Sequence, residues 1–494
     1  MAHRTALIEV TPGQRRIALV EGVRLYDLMV DRPGRESVTG NIYLGRVERI
    51  LPSIQAAFVG IGLERSGFLG LAEARPSIHR DENRTGTEGI TDYVSEGDAV
   101  LVQALNDPVS DKGAKVTTRI TLPGRFLVYT PGQVGIRMSR RLAAEGKGDP
   151  IESMVSKLAR DDEGFIVRSR AGNATEESLT DDIDTLRATW ETITEARKTA
   201  RPIACLHRDL DPVERLLRDE AGPELGRIVV DNAEILAELR AVCSRLSPGL
   251  VDRLKMHSAG TVLFDAYEIE SQIDDALAPI VTLPSGGSIV IEETTALTAI
   301  DVNTGGRSVS GGPERAALDA NLAAIAEIAR HIRLRNLGGL VVVDFVSMRR
   351  QDNRHAVIDA LREAVSSDSC PVHIAGFTRF GLVEMTRERR RASLSESLLA
   401  PCPACTGAGR IKSPQTVAYD ALRHIQRQAS VLPATPLTVT ASSCVIEVLK
   451  NLNHETLAKV EEQTGWPVDL ISDDSLAADH FQVQSRGEVG ETDG

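Results

Sequence analysis

Two apolar runs that each end on a carboxylate decide how the middle of the chain is read: Leu297-Thr298-Ala299-Ile300-Asp301 and Leu340-Val341-Val342-Val343-Asp344. Each reads as a strand closed by an aspartate. Between them Pro313–Leu334 sets Leu318, Leu322, Ile325, Ile328 and Ile332 along one helical face, and Gly338-Gly339 is expected to end that helix. A strand, a crossover helix and a second strand put parallel strands side by side, so Asp301 and Asp344 are expected to meet at the edge of an α/β sheet. Ser288–Glu292 reads as a further strand, Asp352–Ser366 as a helix and Val372–Ala375 as a strand. Two carboxylates that close repel each other, and a hard divalent cation removes the repulsion. Mg²⁺ takes one or two protein carboxylates and keeps waters for substrate phosphate oxygens. Asn303 offers a neutral oxygen, and Thr304-Gly305-Gly306 reads as a flexible loop where a polyanion approaches. The competing reading is that each Asp caps the turn or helix that follows it.

Outward from this unit the rhythm changes. Residues 5–50, and then the runs from Asn41 to Leu71, read as short strands with glycine turns that continue to about Tyr129, and an antiparallel barrel is expected. The polar stretch 73–92 reads as a loop. Helices are expected at Asp149–Ala159, at Thr180–Lys198 (capped by Thr180 and Asp181-Asp182), at Val213–Asp219 and at Asn232–Ser247, with a strand at Arg227–Asp231. After Arg410 a small domain of helix, strand, helix and strand runs to about Gln484, and the last ten residues are expected to fray.

A chain of 494 residues exceeds what one core organises, so two to four domains are expected. Hydrophobic residues at 42% and charged residues at 26% exclude a disordered or fibrous chain. With aromatics at 3%, aliphatic side chains must fill the cores. No apolar run approaches the roughly 20 residues that span a bilayer. The N-terminus has no basic region followed by an apolar core, so a cytoplasmic protein is expected. A net charge of -13 argues against a nucleic-acid partner, but the clusters Arg387–Arg391 and Arg137–Arg141 leave that question open.

Six cysteines in so long a chain make no disulfide framework. Cys205, Cys243, Cys370 and Cys444 stand alone and read as small core residues. The exception is Cys402-Pro403-Ala404-Cys405-Thr406-Gly407-Ala408-Gly409. Its spacing lets both thiolates reach one metal, and its glycines permit a turn that aims backbone N–H groups at sulfur. A closed zinc site takes four ligands, and the sequence has no second such pair. Half a site per chain implies that a second chain supplies the rest, hence a zinc-bridged homodimer. A redox Cys-x-x-Cys is the rival, but that motif usually opens a helix, and here glycines follow.

These features together resemble the ribonuclease E/G family over nearly the whole chain. The resemblance is carried by Asn41-Ile42-Tyr43-Leu44-Gly45-Arg46-Val47, Gln55-Ala56-Ala57-Phe58-Val59, Ala299–Gly306, Ile332–Gly339, Phe380-Gly381-Leu382 and Cys402–Gly409. It is similar to the family's short form, which lacks a long scaffold tail. The resemblance implies an α+β and α/β multidomain chain. Residues 1–35 and 215–278 would form an RNase H-like subdomain, 36–118 an inserted OB-fold that binds RNA, and 119–214 a 5′-end sensor. Residues 279–400 would form a DNase I-like catalytic domain, 401–415 a zinc link and 416–494 a small dimerisation domain.

The resemblance also implies roles for single residues. Asp301 and Asp344 match the family's Mg²⁺ ligands, Asn303 the amide that supports them, and Cys402 and Cys405 the zinc-link thiolates. Phe58 and Phe68 match barrel aromatics that stack on unstacked bases, although Phe58 also reads as core and Phe68 as the more exposed of the two. Lys112 matches a lysine near the RNA backbone and otherwise reads as a solvated loop lysine. Arg168 matches the arginine that grips a 5′-monophosphate. Ser169 stands where the family usually has Thr, and Arg170, Gly60 and Ser347 depart from its pattern.

The implied activity is that of an endoribonuclease. Mg²⁺ at Asp301 and Asp344 would polarise the scissile phosphate and acidify a water that attacks in line, leaving a 5′-phosphate and a 3′-hydroxyl. Single-stranded, A/U-rich RNA is the implied substrate, with ribosomal RNA processing and mRNA decay as the implied roles. Dimers through the shared zinc are implied, and pairing into tetramers is left open. The rivals are an RNA-binding assembly protein whose metal site has decayed and a zinc-dependent chaperone. Chaperones of that kind carry several Cys-x-x-Cys-x-Gly-x-Gly copies, and this chain carries one.

Overall fold

A computed structural model describes residues 4–32, 37–75, 89–108, 112–139, 142–143, 148–220, 224–246, 248–258, 260–305, 312–389, 391–431, 436–451, 458–462, 465 and 467–485. Most of the predicted loop 73–92, Gly306, Arg140, Arg141, Arg390 and the last nine residues lie outside that set. The chain divides into two compact units, Met1–Leu398 and Leu399–Gly494.

Among the described residues the first unit holds four sheets, and the first of them is built by the N-terminal strands. Arg4–Thr11, Gln14–Glu21 and Arg24–Asp31 form an antiparallel meander, and Leu225–Val230 adds in parallel on the far side of Arg4–Thr11. Ile8, Ile17, Leu19, Ile228 and Val230 fill the space beneath helices Pro212–Glu220 and Ala233–Leu246.

The predicted barrel is present and nearly closed. Its strands run in the order Gly67–Gly70, Ala56–Gly60, Ile42–Leu51, Ala99–Ala104 and Val116–Thr117. The ends approach where the Phe68 N–H donates to the Ala114 carbonyl at 2.8 Å and Phe68 bridges to Lys115. Alternation puts Ala57, Val59, Leu69 and Val102 inside and Phe58 and Phe68 on the opposite face. The architecture is compatible with an OB-fold. A Cβ at Gly60 would lie 2.3 Å from Glu48 Oε1, the end of an exposed side chain that would have to move aside.

A four-stranded sheet follows, packed on helix Glu176–Thr199 through Leu127, Phe165, Leu179 and Ile183. The cap of this helix differs from the sequence reading. Thr175, not Thr180, caps it, accepting from the Ser178 N–H at 3.2 Å. Asp182 is thereby freed for another task.

The fourth sheet corrects the expected α/β topology. Its order is Ile280–Thr282, Ser288–Glu293, Leu297–Asn303, Gly339–Asp344, Leu382–Arg387 and Val372–Phe377, and only Leu297–Asn303 and Gly339–Asp344 pair in parallel. Every other neighbouring pair is antiparallel, and three of these pairs are consecutive strands joined by short turns, such as the one between Phe377 and Leu382. Helix Pro313–Leu334 makes the crossover between Leu297–Asn303 and Gly339–Asp344, helix Gln351–Val365 a second one to Val372–Phe377, and the two pack through Ala324, Ile325, Ile328, Ile332, Val357 and Leu361. Asn336, with φ 49°, ends the crossover helix rather than Gly338-Gly339. Leu322 is 38% exposed, and Asn321 lies buried instead.

The second unit places Leu437–Ala441 between Val468–Ser472, parallel to it, and Phe481–Ser485, antiparallel, so it has one strand more than expected. Helices Pro414–Val431 and Ser443–Asn451 cover the sheet with Val417, Ala421, Ile425, Val445 and Ile446. Of the four solitary cysteines only Cys243 is buried; Cys205 and Cys444 are exposed and Cys370 is half-buried.

Candidate active site

Asp301 and Asp344 are register partners across the one parallel neighbour pair of this sheet. Each strand alternates. Ile300 and Val302, and Val341 and Val343, point into the core beneath the helices, so Asp301, Asn303 and Asp344 share the exposed face. Asn303 Nδ2 donates to Asp301 Oδ2 at 2.8 Å. The bond fixes one carboxylate oxygen of Asp301 and leaves the other free to ligate.

Three devices hold this edge. Buried Asn321 grips the chain just beyond Asp344, donating to the Val346 carbonyl and accepting from its N–H, both at 2.9 Å. Without its partner, each of these buried groups would cost about 1–3 kcal/mol. Glu314 accepts from the N–H groups of Arg349 and Arg350 and from Asn353 Nδ2, at 2.9 to 3.1 Å, and those bonds hold its carboxyl below its ordinary range. The third device lies at the start of the expected loop. Gly305 has φ 62°, and a Cβ on it would lie 2.4 Å from the Gly287 nitrogen. Glycine is needed here for close backbone approach, which pins the chain after Asn303 to the Gly286-Gly287 turn.

Two carboxylates and an amide are hard oxygen donors, too few to enclose an ion, and that donor set suits Mg²⁺ with waters and a phosphate completing the shell. Among the described residues no group of three or more His, Cys, Asp or Glu side chains comes together to hold a metal.

Phe58 and Phe68 are cross-strand partners with ring centroids 6.2 Å apart and planes at 71°. Both are half-buried, so neither is the core residue nor the clearly more exposed one that the sequence suggested. Lys112 is exposed. It lies beside the same strand, because Gly113 packs so closely on Ser66 that a Cβ would sit 2.0 Å from the Ser66 carbonyl oxygen. The two aromatic rings share one face of the barrel, and Lys112 follows in the chain beside the strand that carries Phe68.

Arg168 is half-buried, with its fork already engaged. One arm donates to the Gly124 carbonyl at 2.7 Å and the other to Asp219 at 2.8 Å. Burial pushes the Asp219 carboxyl up, but the guanidiniums of Arg218 and Arg168 outweigh it and hold the pKa at about 2. Ser169 Oγ lies 3.0 Å from Ser139 Oγ. Arg170 is half-buried and lies 3.9 Å from Glu220. Asp182 accepts from the backbone N–H groups of Arg125, Phe126 and Leu127 at 2.9 to 3.0 Å and so shapes the loop that carries Gly124. Burial leaves its carboxyl above the ordinary range despite those donors.

Cys402 is exposed and Cys405 half-buried, at the start of a loop where Thr406, Gly407 and Gly409 take φ of 47°, 91° and 70°. The Gly409 N–H donates to Cys405 Sγ at 3.3 Å. Backbone N–H groups of Cys405 and Ala404 hold the Cys402 thiol below its ordinary pKa. The loop thus favours a thiolate at Cys402, the form in which a cysteine ligates a metal.

Comparison with known proteins now decides the family. The profile of the family described as "Ribonuclease E/G family" matches residues 121–390, and that of the "RNase E/G, Thioredoxin-like domain" matches 401–486. Ribonuclease G of Salmonella typhimurium is 35% identical over 97% of this chain and 98% of its own. The chain belongs to the ribonuclease E/G family. Ribonuclease G of Escherichia coli K12 is 34% identical over the same shares. Ribonuclease E of Escherichia coli K12 is 36% identical over 97% of this chain, which spans 45% of that longer relative.

Sequence reasoning missed three residues that position the family's matched side chains. Asn321 had a signal, an amide at a helix position where the apolar stripe should continue. Asp182 was absorbed into the expected helix cap. Asp219 had none, because its partner Arg168 lies far off in the chain.

Proposed function

We propose that this chain is a metal-dependent endoribonuclease that cuts single-stranded, A/U-rich RNA, favouring 5′-monophosphorylated ends, in ribosomal RNA processing and mRNA decay. The observation that carries the reading is the register pairing of Asp301 with Asp344, with Asn303 bonded to the first. The names of the family's ribonuclease G and ribonuclease E members support the reaction class.

In this reading Asp301 and Asp344 hold Mg²⁺, which supplies Lewis-acid stabilisation of the charge that develops on the scissile phosphate. Asn303 keeps Asp301 from swinging out of place. Phe58 and Phe68 take unstacked bases, each worth about 1–3 kcal/mol, and Lys112 neutralises a phosphate. Attack by water leaves a 5′-phosphate and a 3′-hydroxyl. Arg168 and Ser169 hold the 5′-phosphate, and Cys402 and Cys405 give half of a zinc site shared with a second chain. The test is cleavage of a short 5′-monophosphorylated A/U-rich RNA. Products should carry 5′-phosphates, and EDTA should stop the reaction until Mg²⁺ is restored. Products with 2′,3′-cyclic phosphates, or full activity in EDTA, would defeat the reading.

The same substrates probe the sensor. Arg168→Ala should narrow the rate preference for 5′-monophosphate over 5′-hydroxyl RNA by about tenfold, the worth of one charge-assisted pair. Arg168→Lys should recover part of it, since the charge stays and the fork is lost. An unchanged ratio in Arg168→Ala removes this residue from 5′-end recognition.

A further inference from the structure

The segment Thr378-Arg379-Phe380-Gly381 joins the last two strands of the sheet that carries Asp301 and Asp344, and the proposed function leaves it without a task. Phe380 is 93% exposed, the most exposed of the large apolar side chains described. Its exposure is built in, not a loose end. The Thr378 N–H donates to the Leu382 carbonyl at 2.7 Å, the Gly381 N–H to the Thr378 carbonyl at 3.1 Å, and Thr378 Oγ1 accepts from the N–H groups of Phe380 and Leu382, both at 3.2 Å. Gly381 takes φ 90° to close the turn. At its base Phe377 is anchored against Phe345, with centroids 6.3 Å apart, and under the Arg354 guanidinium at 5.4 Å. One aromatic secures the turn, and the second is left in water.

Two more observations say what the ring awaits. Arg379 is exposed and has no hydrogen bond or ion pair among the described residues, although this acidic chain pairs most of its arginines. Leu382 is the register partner of Asp344. One cross-strand step of about 5 Å and two residues of about 3.3 Å each put Phe380 on the order of 10 Å from Asp344. A free cation and a bare aromatic face at that spacing suit a nucleotide, phosphate to one and base to the other. A subunit contact would instead need a broad apolar surface, whereas Arg379 and the Asp301–Asp344 pair flank this ring with charge.

We propose that the Arg379-Phe380 turn is an RNA contact, in which Phe380 stacks on a base within a nucleotide or two of the scissile bond and Arg379 holds an adjoining phosphate. The proposal rests on the nuclease reading above and adds a grip beyond the barrel aromatics.

The test uses the full chain and a 5′-monophosphorylated single-stranded A/U decamer, with 2-aminopurine placed in turn at each position around the cut. Phe380→Ala should lower kcat/KM about tenfold, and Phe380→Trp should restore it. In an Asp301→Asn background, Phe380→Ala should relieve 2-aminopurine quenching at one or two positions beside the cut and nowhere else. Arg379→Gln should make the logarithmic salt dependence of binding shallower by about 0.7. Unchanged kcat/KM and quenching in Phe380→Ala, while the parent protein cleaves, overturns the proposal. A halved mass by light scattering in Phe380→Ala also overturns it and makes the turn a subunit contact. If the parent cleaves no faster than Asp301→Asn, the nuclease reading fails separately, and the quenching pattern still decides whether the turn touches RNA.

Discussion

Asn in place of Asp301 is expected to reduce cleavage by at least about a thousandfold at saturating Mg²⁺, roughly 4 kcal/mol of transition-state stabilisation. The substitution keeps the shape and removes the charge. Asp301 is exposed and makes no ion pair among the described residues, so the fold should keep its thermal midpoint and far-UV spectrum while activity collapses. Asp344→Asn should behave alike. The double variant should be little worse than either single, because the two carboxylates act on one ion. Asn303→Ala supplies the graded contrast. It removes a supporting bond rather than a ligand, so Mg²⁺ affinity should fall about 10- to 100-fold, and excess Mg²⁺ should restore much of the rate. Asp301→Asn cleaving within tenfold of the parent would mean that the carboxylate pair does not perform the chemistry.

The pair was legible because its causes are local. An apolar strand ending on Asp, a helix of crossover length and a second such strand dictate parallel neighbours, and the observed register follows. The barrel was legible through alternation, which also sent Phe58 and Phe68 to one face. The direction of the remaining strands was missed because Leu382–Arg387 alternates buried Val383, Met385 and Arg387 with polar residues. Read alone, that stretch lacks the continuous apolar run of a buried strand. The close approach at Gly305 was not legible for a different reason. A glycine that gives freedom and one that permits close approach look identical in sequence, and only the Gly287 backbone tells them apart. Partners such as Asp219 for Arg168 lie outside any local pattern, since charge in a sequence does not say which opposite charge it will meet.

Ser in place of Cys405 is expected to abolish zinc binding and halve the mass of the particle in solution. The reasoning begins from ligand count. The loop presents two sulfurs, and among the described residues no third or fourth ligating side chain joins them. A structural zinc needs four. Two loops from two chains satisfy it, so the ion should bind once per pair of chains and clamp the pair. Removing one sulfur per chain leaves two of four ligands, because a serine hydroxyl keeps its proton at neutral pH, when a metal needs an anion. The loss should be confined to assembly. Neither cysteine belongs to the core of Val417, Ile425, Val439 and Ile446, so the second unit should keep its helical spectrum. Zinc content and light-scattering mass, taken on the same sample, give the answer. A variant that loses zinc and keeps its mass would show that the dimer is held elsewhere. A parent with one zinc per chain would show that the site is completed within a single chain, and the shared-ion argument would fail on stoichiometry alone.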